Sequence, residues 1–286
     1  MKELRERTGV GMMDCKKALT ETGGDVEAAV DWLRRQGMAT ASKKAGRVAA
    51  EGLVGALADS GRGVVVEVNS ETDFVARNET FQEFVNTVGG LALEAGGDMD
   101  ALRAAAYPGF DGTVGEKLTD LIASIGENLQ LRRAQGLSVE NGLVATYTHN
   151  AAAPGLGTIG VLVALESAAD ATKLAALGKQ LAMHVAAASP QALSVEALDP
   201  DLLARERSVL SDQARSSGKP EDIVEKMVEG RLRKFYEEVA LLDQIYVVDG
   251  ETRVAKVVED AAKDLGEEIR LSGFVRFALG EGVGRD

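Results

Sequence analysis

Residue types that carry chemistry are sparse in this chain, which has one cysteine and two histidines. His149 and His184 fall on different predicted elements, and neither has carboxylates at a spacing that would build a metal site or a nucleophile, base and acid triad. His184 stands in the apolar run Leu181-Ala182-Met183-His184-Val185 and reads as a packing residue with its polar needs met, whereas His149, in a loop beside Asn150, reads as a surface residue. Cys15 has no second cysteine to pair with and no CxxC or Cys/His cluster around it, so it reads as a structural thiol. Asp98 with Asp100, and Glu267 with Glu268, read as solvated charges at loops and helix ends. Gly155-Leu156-Gly157-Thr158-Ile159-Gly160 has the GxGxxG spacing of a dinucleotide loop. Such a loop must follow a strand and open a helix so that its amides face the pyrophosphate, but this one runs into the strand-like stretch 161–165. No GxxxxGK[ST] phosphate cradle is present. The expectation is a chain with no catalytic residue, no cofactor and no metal of its own, which works by binding.

Length and charge narrow the partners. The 286 residues, 45% of them apolar, suffice for more than one domain with buried cores. A net charge of −13, from 45 acidic against 32 basic residues, argues against nucleic acid, since phosphate affinity comes from Lys and Arg releasing counterions. The local basic stretch from Arg34-Arg35 through Lys43-Lys44 to Arg47 reads as a solvated linker helix. No apolar run approaches the roughly 20 residues that cross a bilayer, and Met1 leads almost directly into Leu4-Arg5 without a leader or transit pattern, so the expected home is the cytoplasm, away from membranes.

The strongest binding signal lies in residues 64–78. The run Val64-Val65-Val66-Glu67-Val68 breaks into Asn69-Ser70-Glu71-Thr72-Asp73, followed by Phe74-Val75-Ala76-Arg77-Asn78. Phe74 and Val75 stand past the end of a strand and before a helix start, where a large aromatic beside a carboxylate either plugs a local core or is offered to a partner.

Four blocks must position that segment. Residues 3–7, 13–20 and 26–36 read as three short helices split by Thr8-Gly9-Val10-Gly11 and Gly23-Gly24-Asp25. Asp25 is predicted to cap the third helix, Val26, Ala29, Val30 and Leu33 to face inward, and Gly37 to close it. Residues 52–57 and 63–68 flank Asp59-Ser60-Gly61-Arg62 as an antiparallel hairpin. Thr80-Phe81-Gln82-Glu83 has the form of a capping box, predicting a helix over 81–94 with Phe81, Phe84, Val85 and Val88 inward, and a further helix follows over 116–125. The pattern then recurs: Gly142-Leu143-Val144 echoes Gly52-Leu53-Val54, and 159–165 echoes the second strand about 90 residues on. Residues 174–188 take the place of the first long helix, while 256–265 with Gly266 echo the Gly126 segment at an offset of about 140, so about 50 residues are inserted in the second copy. The insert reads as an antiparallel helical arm, 201–217 and 221–239, joined by Gly218-Lys219-Pro220 with the Pro in the first turn of its second helix. Its predicted seam sets Leu203, Val209 or Leu210, and Ala214 against Val224, Met227 or Val228, Leu232 and Phe235. On the residues alone, an interaction protein leads, with a small-ligand enzyme using the Gly155 loop and a binder acting only through the N-terminal bundle as alternatives.

Residues 4–19, Leu4-Arg5-Glu6-Arg7-Thr8-Gly9-Val10-Gly11-Met12-Met13-Asp14-Cys15-Lys16-Lys17-Ala18-Leu19, followed by Thr72-Asp73-Phe74-Val75-Ala76, resemble the elongation factor Ts family, the guanine-nucleotide exchange factors of the translation GTPase EF-Tu. Gly126-Glu127-Asn128, Met183-His184-Val185-Ala186, Ser217-Gly218-Lys219-Pro220 and Gly273-Phe274-Val275-Arg276-Phe277 extend the resemblance over nearly the whole chain. It implies an α+β fold with a ubiquitin-associated-like three-helix bundle and linker (1–50), a first core subdomain (51–139), and a related second subdomain (140–286) carrying a coiled-coil arm (199–239). It also implies that Thr72, Asp73, Phe74 and Val75 press into EF-Tu and disturb its Mg²⁺ and phosphate site, with Phe74 as the wedge and Asp73 its polar neighbour. Further partner contacts carry over as Arg5, Met12, Met13 and His149. The resemblance leaves a homodimer open, and the end at Gly280-Glu281-Gly282-Val283-Gly284-Arg285-Asp286 lacks the further helical module of longer members.

Overall fold

Glycine-rich breaks divide the N-terminal block into three helices in the computed structural model, which describes residues 1–8, 10–216 and 218–284. They are α1 (Lys2–Thr8), α2 (Met12–Glu21) and α3 (Val26–Lys44). The predicted turn residue Gly9 lies outside the described residues. The Asp25 carboxylate caps α3 by accepting the Ala28 amide at 3.0 Å. Leu4, Val10, Cys15, Ala18, Ala29 and Leu33 form a small core, with Val26 and Val30 only partly buried beside it. Gly37 does not close the helix, which runs on to Lys44. It is a buried helical position, where a Cβ would lie 3.5 Å from the Ala123 Cβ of a later helix, an ordinary packing distance.

Strands follow. β1 (Glu51–Asp59) and β2 (Arg62–Ser70) pair antiparallel through a two-residue turn, with Asp59 opposite Arg62 and Ser60 at φ +53°. Next come α4 (Glu79–Glu94), α5 (Met99–Ala104), α6 (Val114–Ile125) and β3 (Gln130–Ser138). Phe81, Phe84, Val85 and Val88 are buried, as their spacing predicts. The cap of α4 is Asn78 instead of Thr80, its side-chain oxygen accepting the Phe81 amide at 3.1 Å, so the helix opens earlier and Thr80 falls within its first turn. Thr113 and Glu116 form the capping box that the α4 start lacks, and Gly126, at φ +86°, closes α6.

The second copy runs through β4 (Gly142–His149), β5 (Leu156–Gly157), β6 (Ile159–Glu166), α7 (Ala171–Ala188), α8 (Pro200–Arg215), α9 (Glu221–Val239), α10 (Val254–Leu265) and β7 (Arg270–Ala278). The sheets are ordered β3-β2-β1-β5 and β4-β6-β7 and are antiparallel throughout, so each copy places its second long strand between its first and its last. The internal repeat extends to backbone detail. Gly52 and Gly142 hold φ of +120° and +131°, and a Cβ would fall 2.2 Å from the Val68 carbonyl oxygen and 2.0 Å from that of Leu165. Both positions therefore demand glycine. β5 comes from the second copy and adds an edge to the first sheet. Val54, Ala56 and Val65 meet Val144, Leu162, Ala164, Val275 and Phe277 where the two sheets pack together.

A buried carboxylate reinforces that junction. Glu67 on β2 accepts from Arg132 at 3.0 Å, Arg133 at 2.5 Å, Asn69 at 3.0 Å and the Gly280 amide just past β7 at 2.9 Å. Burial alone would raise its pKa, but the Gly280 amide, Asn69 and Arg133 outweigh that and hold it below the usual carboxylate range.

α8 and α9 pack on one another through Leu210, Ala214, Val224, Val228 and Leu232, while Leu203 and Phe235 join Ala192, Leu198 and Val239 at the base. Leu210 fills the seam and Val209 is exposed. Pro220 stands just before α9, at the N-cap position and without a side-chain capping bond, instead of in the first turn. The predicted end of the first arm helix at Ser217 lies outside the described residues. Among the described residues no helix is long and apolar enough to cross a membrane.

Candidate functional site

Where β2 ends at Ser70, its Oγ donates to the Thr72 carbonyl at 2.9 Å and the chain folds into a tight turn. A single helical turn, Val75–Arg77, leads on to α4: the Arg77 amide donates to the Phe74 carbonyl at 3.2 Å and the Asn78 amide to that of Val75 at 2.9 Å. Gln82 in α4 donates to the Ala76 carbonyl at 2.8 Å. These bonds engage the Thr72, Phe74, Val75 and Ala76 carbonyls, and the turn presents one large apolar side chain. Phe74 is 75% exposed, matched among the described large apolar residues only by Met13. Val75 is 5% exposed and belongs to the core beneath the first sheet, which corrects the expectation that it is presented beside Phe74. The reversal follows from that helical turn, which points successive side chains in different directions.

Thr72 and Asp73 also differ. Asp73 is exposed, while Thr72 is half-buried and held by Glu127, whose carboxylate accepts the Thr72 amide at 3.0 Å and its hydroxyl at 2.7 Å. In return Glu71 accepts the Asn128 amide at 2.6 Å and pairs with Arg47 at 3.3 Å. The Asn128 side chain donates to the Arg47 carbonyl at 2.7 Å, and Lys44 at the end of α3 donates to the Gly126 carbonyl. The sequence does not reveal this role of Glu127, because its partner is 55 residues away and no local pattern links them.

The other candidates stand on different elements. Arg5 is exposed on α1, and Met12 and Met13 are exposed in the first turn of α2, opposite the buried Cys15 and Ala18. His149 is exposed at the end of β4, with its Nδ1 3.1 Å from the Tyr147 hydroxyl. Its carbonyl accepts the Thr158 amide at 3.0 Å and lies where a Cβ on Gly157 would come within 2.3 Å, so the Gly155 motif serves as a close-packed edge beside His149. His184 is fully buried. Its Nε2 donates to Gln244 Oε1 at 2.9 Å, Gln244 being oriented by its own donation to the Glu238 carbonyl at 2.7 Å, and its Nδ1 accepts the Val247 amide at 3.2 Å. Desolvation, opposed by the Gln244 hydrogen bond, lowers its pKa, and the two partners select the neutral ring. Among the described residues no group of three or more His, Cys, Asp or Glu is placed to hold a metal ion.

The family model described as Elongation factor TS matches residues 71–281, a span that begins at the Phe74 loop and ends past β7. Elongation factor Ts of Rhodospirillum centenum is 64% identical over 283 residues, covering 99% of this chain and 92% of that protein. Elongation factor Ts of Rhodospirillum rubrum is 64% identical over 287 residues, covering 100% and 93%, and that of Paramagnetospirillum magneticum 59% identical over 286 residues, covering 100% and 92%. Matches of this length and identity leave one assignment: the chain belongs to the elongation factor Ts family and serves translation elongation.

Proposed function

We propose that this protein is a guanine-nucleotide exchange factor that binds EF-Tu·GDP and promotes GDP release, without bond-making chemistry of its own. The observation that carries the reading is Phe74, a bare aromatic ring on a loop pinned by hydrogen bonds to the Phe74, Val75 and Ala76 carbonyls. Pressed into the GTPase, such a ring displaces the elements that hold Mg²⁺. With the metal's coordination broken, the diphosphate's charge is poorly neutralised and the nucleotide leaves.

Coupling explains why several modules are needed. A nucleotide held at nanomolar strength is bound by about 12 kcal/mol, so the factor must bind the empty GTPase with comparable energy. A single loop cannot supply this. An interface of about 1,600 Å² or more can, if Arg5, Met12 and Met13 on the bundle and His149 on the second sheet add to Thr72, Asp73 and Phe74. Reciprocity then requires GDP to weaken the factor's binding by the same ratio. Family membership supports EF-Tu as the partner and the bacterial cytoplasm as the place of action.

The test is release of fluorescent GDP from EF-Tu in Mg²⁺ with a substoichiometric amount of this protein. Acceleration over many turnovers is the expected result. Tight binding to EF-Tu with unaccelerated release would overturn exchange as the function.

A further inference from the structure

Phe74 projects from a short turn, so its direction depends on what anchors that turn. The anchor comes from Glu127, which accepts both the amide and the hydroxyl of Thr72, at 3.0 and 2.7 Å. Two hydrogen bonds from one residue to one carboxylate fix orientation as well as distance, and an ionised acceptor makes them the stronger kind. Glu71 answers by accepting the Asn128 amide at 2.6 Å, so the two chain segments brace each other. Glu71, Thr72 and Glu127 are half-buried and Asn128 is buried, which strengthens these bonds relative to an open surface. The linker from the N-terminal helices meets the bracing segment, through Lys44 to the Gly126 carbonyl and Asn128 to the Arg47 carbonyl at 2.7 Å.

We propose that Glu127 is a positioning residue for exchange: by holding Thr72 it fixes the direction in which Phe74 enters the partner. The inference rests on Phe74 as the wedge and goes beyond it by assigning the group that aims it. An unbraced loop spreads the ring over several directions, and the entropy of ordering it then opposes the step in which the GTPase is deformed.

The test uses the full chain as Glu127→Ala, Glu127→Gln, Phe74→Ala and the double variant Glu127→Ala/Phe74→Ala, each assayed for fluorescent GDP release from EF-Tu. Glutamine keeps an acceptor for the Thr72 amide and places a donor beside its hydroxyl, so it is the conservative rescue. Glu127→Ala is expected to lower the maximal release rate about tenfold while the half-saturating concentration stays within about twofold, and Glu127→Gln to stay within about twofold of the parent. In the Phe74→Ala background the same Glu127→Ala change is expected to alter the rate by less than about twofold, since no ring remains to be aimed. An equal loss in both backgrounds assigns Glu127 to general support of the fold and overturns the proposal, as does the absence of any loss with Phe74 present. If Phe74→Ala releases GDP at the parent rate, the wedge itself fails and the aiming role falls with it. A slow Phe74→Ala combined with an additive Glu127→Ala removes the aiming role alone. Should Glu127→Ala not fold, as read by its melting curve, Glu127→Asp, whose shorter side chain withdraws the carboxylate from Thr72, takes its place under the same criteria.

Discussion

Phe74 and Val75 are adjacent in the chain and face opposite ways, the first standing in solvent and the second packed in the core under the first sheet. The residue that serves stability and the one proposed to meet the partner are therefore separated by one peptide bond. Val75→Ala removes buried methyl groups and is expected to cost about 1–2 kcal/mol of stability, while Phe74→Ala stays within about 0.5 kcal/mol of the parent. Urea unfolding of both variants checks this. Equal losses would mean that the Phe74 ring is not free.

Gly37 lies where α3 packs against α6. Gly37→Ala places a methyl group 3.5 Å from the Ala123 Cβ, an ordinary contact. It should stabilise the protein by up to about 1 kcal/mol through helix propensity. Gly37→Leu overfills the same gap and should cost about 1–3 kcal/mol. Thermal melts of the two variants should move in opposite directions. A fall with alanine would show that the helices tolerate no side chain there.

Glu67 ties β2, β3 and the segment after β7 together, and its folded pKa lies below the unfolded one. Its ionised form therefore favours the fold fully above about pH 4.3, and that stabilisation is lost as pH falls through the lower folded value. Glu67→Gln should cost about 3 kcal/mol at neutral pH, because the arginines lose a buried partner, and should flatten the acid dependence in that window. Denaturant midpoints measured across the acid range, together with hydrogen exchange at Gly280, test both effects.

His184 is neutral in the fold, and its pH dependence has the same sign as that of Glu67. Its folded pKa is lowered, so as pH falls below about 6.5 the unfolded chain takes up the proton first and stability declines until the folded value is reached. The slope from this one group cannot exceed about 1.4 kcal/mol per pH unit. His184→Gln should lower stability at pH near 7.5 yet remove that slope, a comparison of melting curves with and without the imidazole. A slope that survives the substitution would assign it to other groups.

Much of the architecture was legible because it rests on local chemistry. Asp25 reads as a cap from its place before an apolar-periodic stretch, and the hairpin at Ser60-Gly61 and the internal repeat follow from short-range pattern. At Gly37 the sequence misleads, because a glycine after an apolar helical face, near basic residues, has the pattern of a helix terminus, and only contact with the distant Ala123 marks it as internal. Asn78 lost to Thr80 because both precede the same apolar run and only backbone geometry separates them. At the site, the motif marked the loop, but which of Phe74 and Val75 is presented depends on a helical turn too short to leave a periodic signal. The Glu127 brace is long-range and left no local trace.

The central claim is that the exposed Phe74 ring drives nucleotide release, and the most direct measurement compares parent and Phe74→Ala proteins in the release of fluorescent GDP from EF-Tu, with melting curves run alongside. The expected result is a loss of exchange of at least about tenfold with an unchanged melting curve. Parent-like exchange by a Phe74→Ala protein, whatever its melting behaviour, would contradict the account.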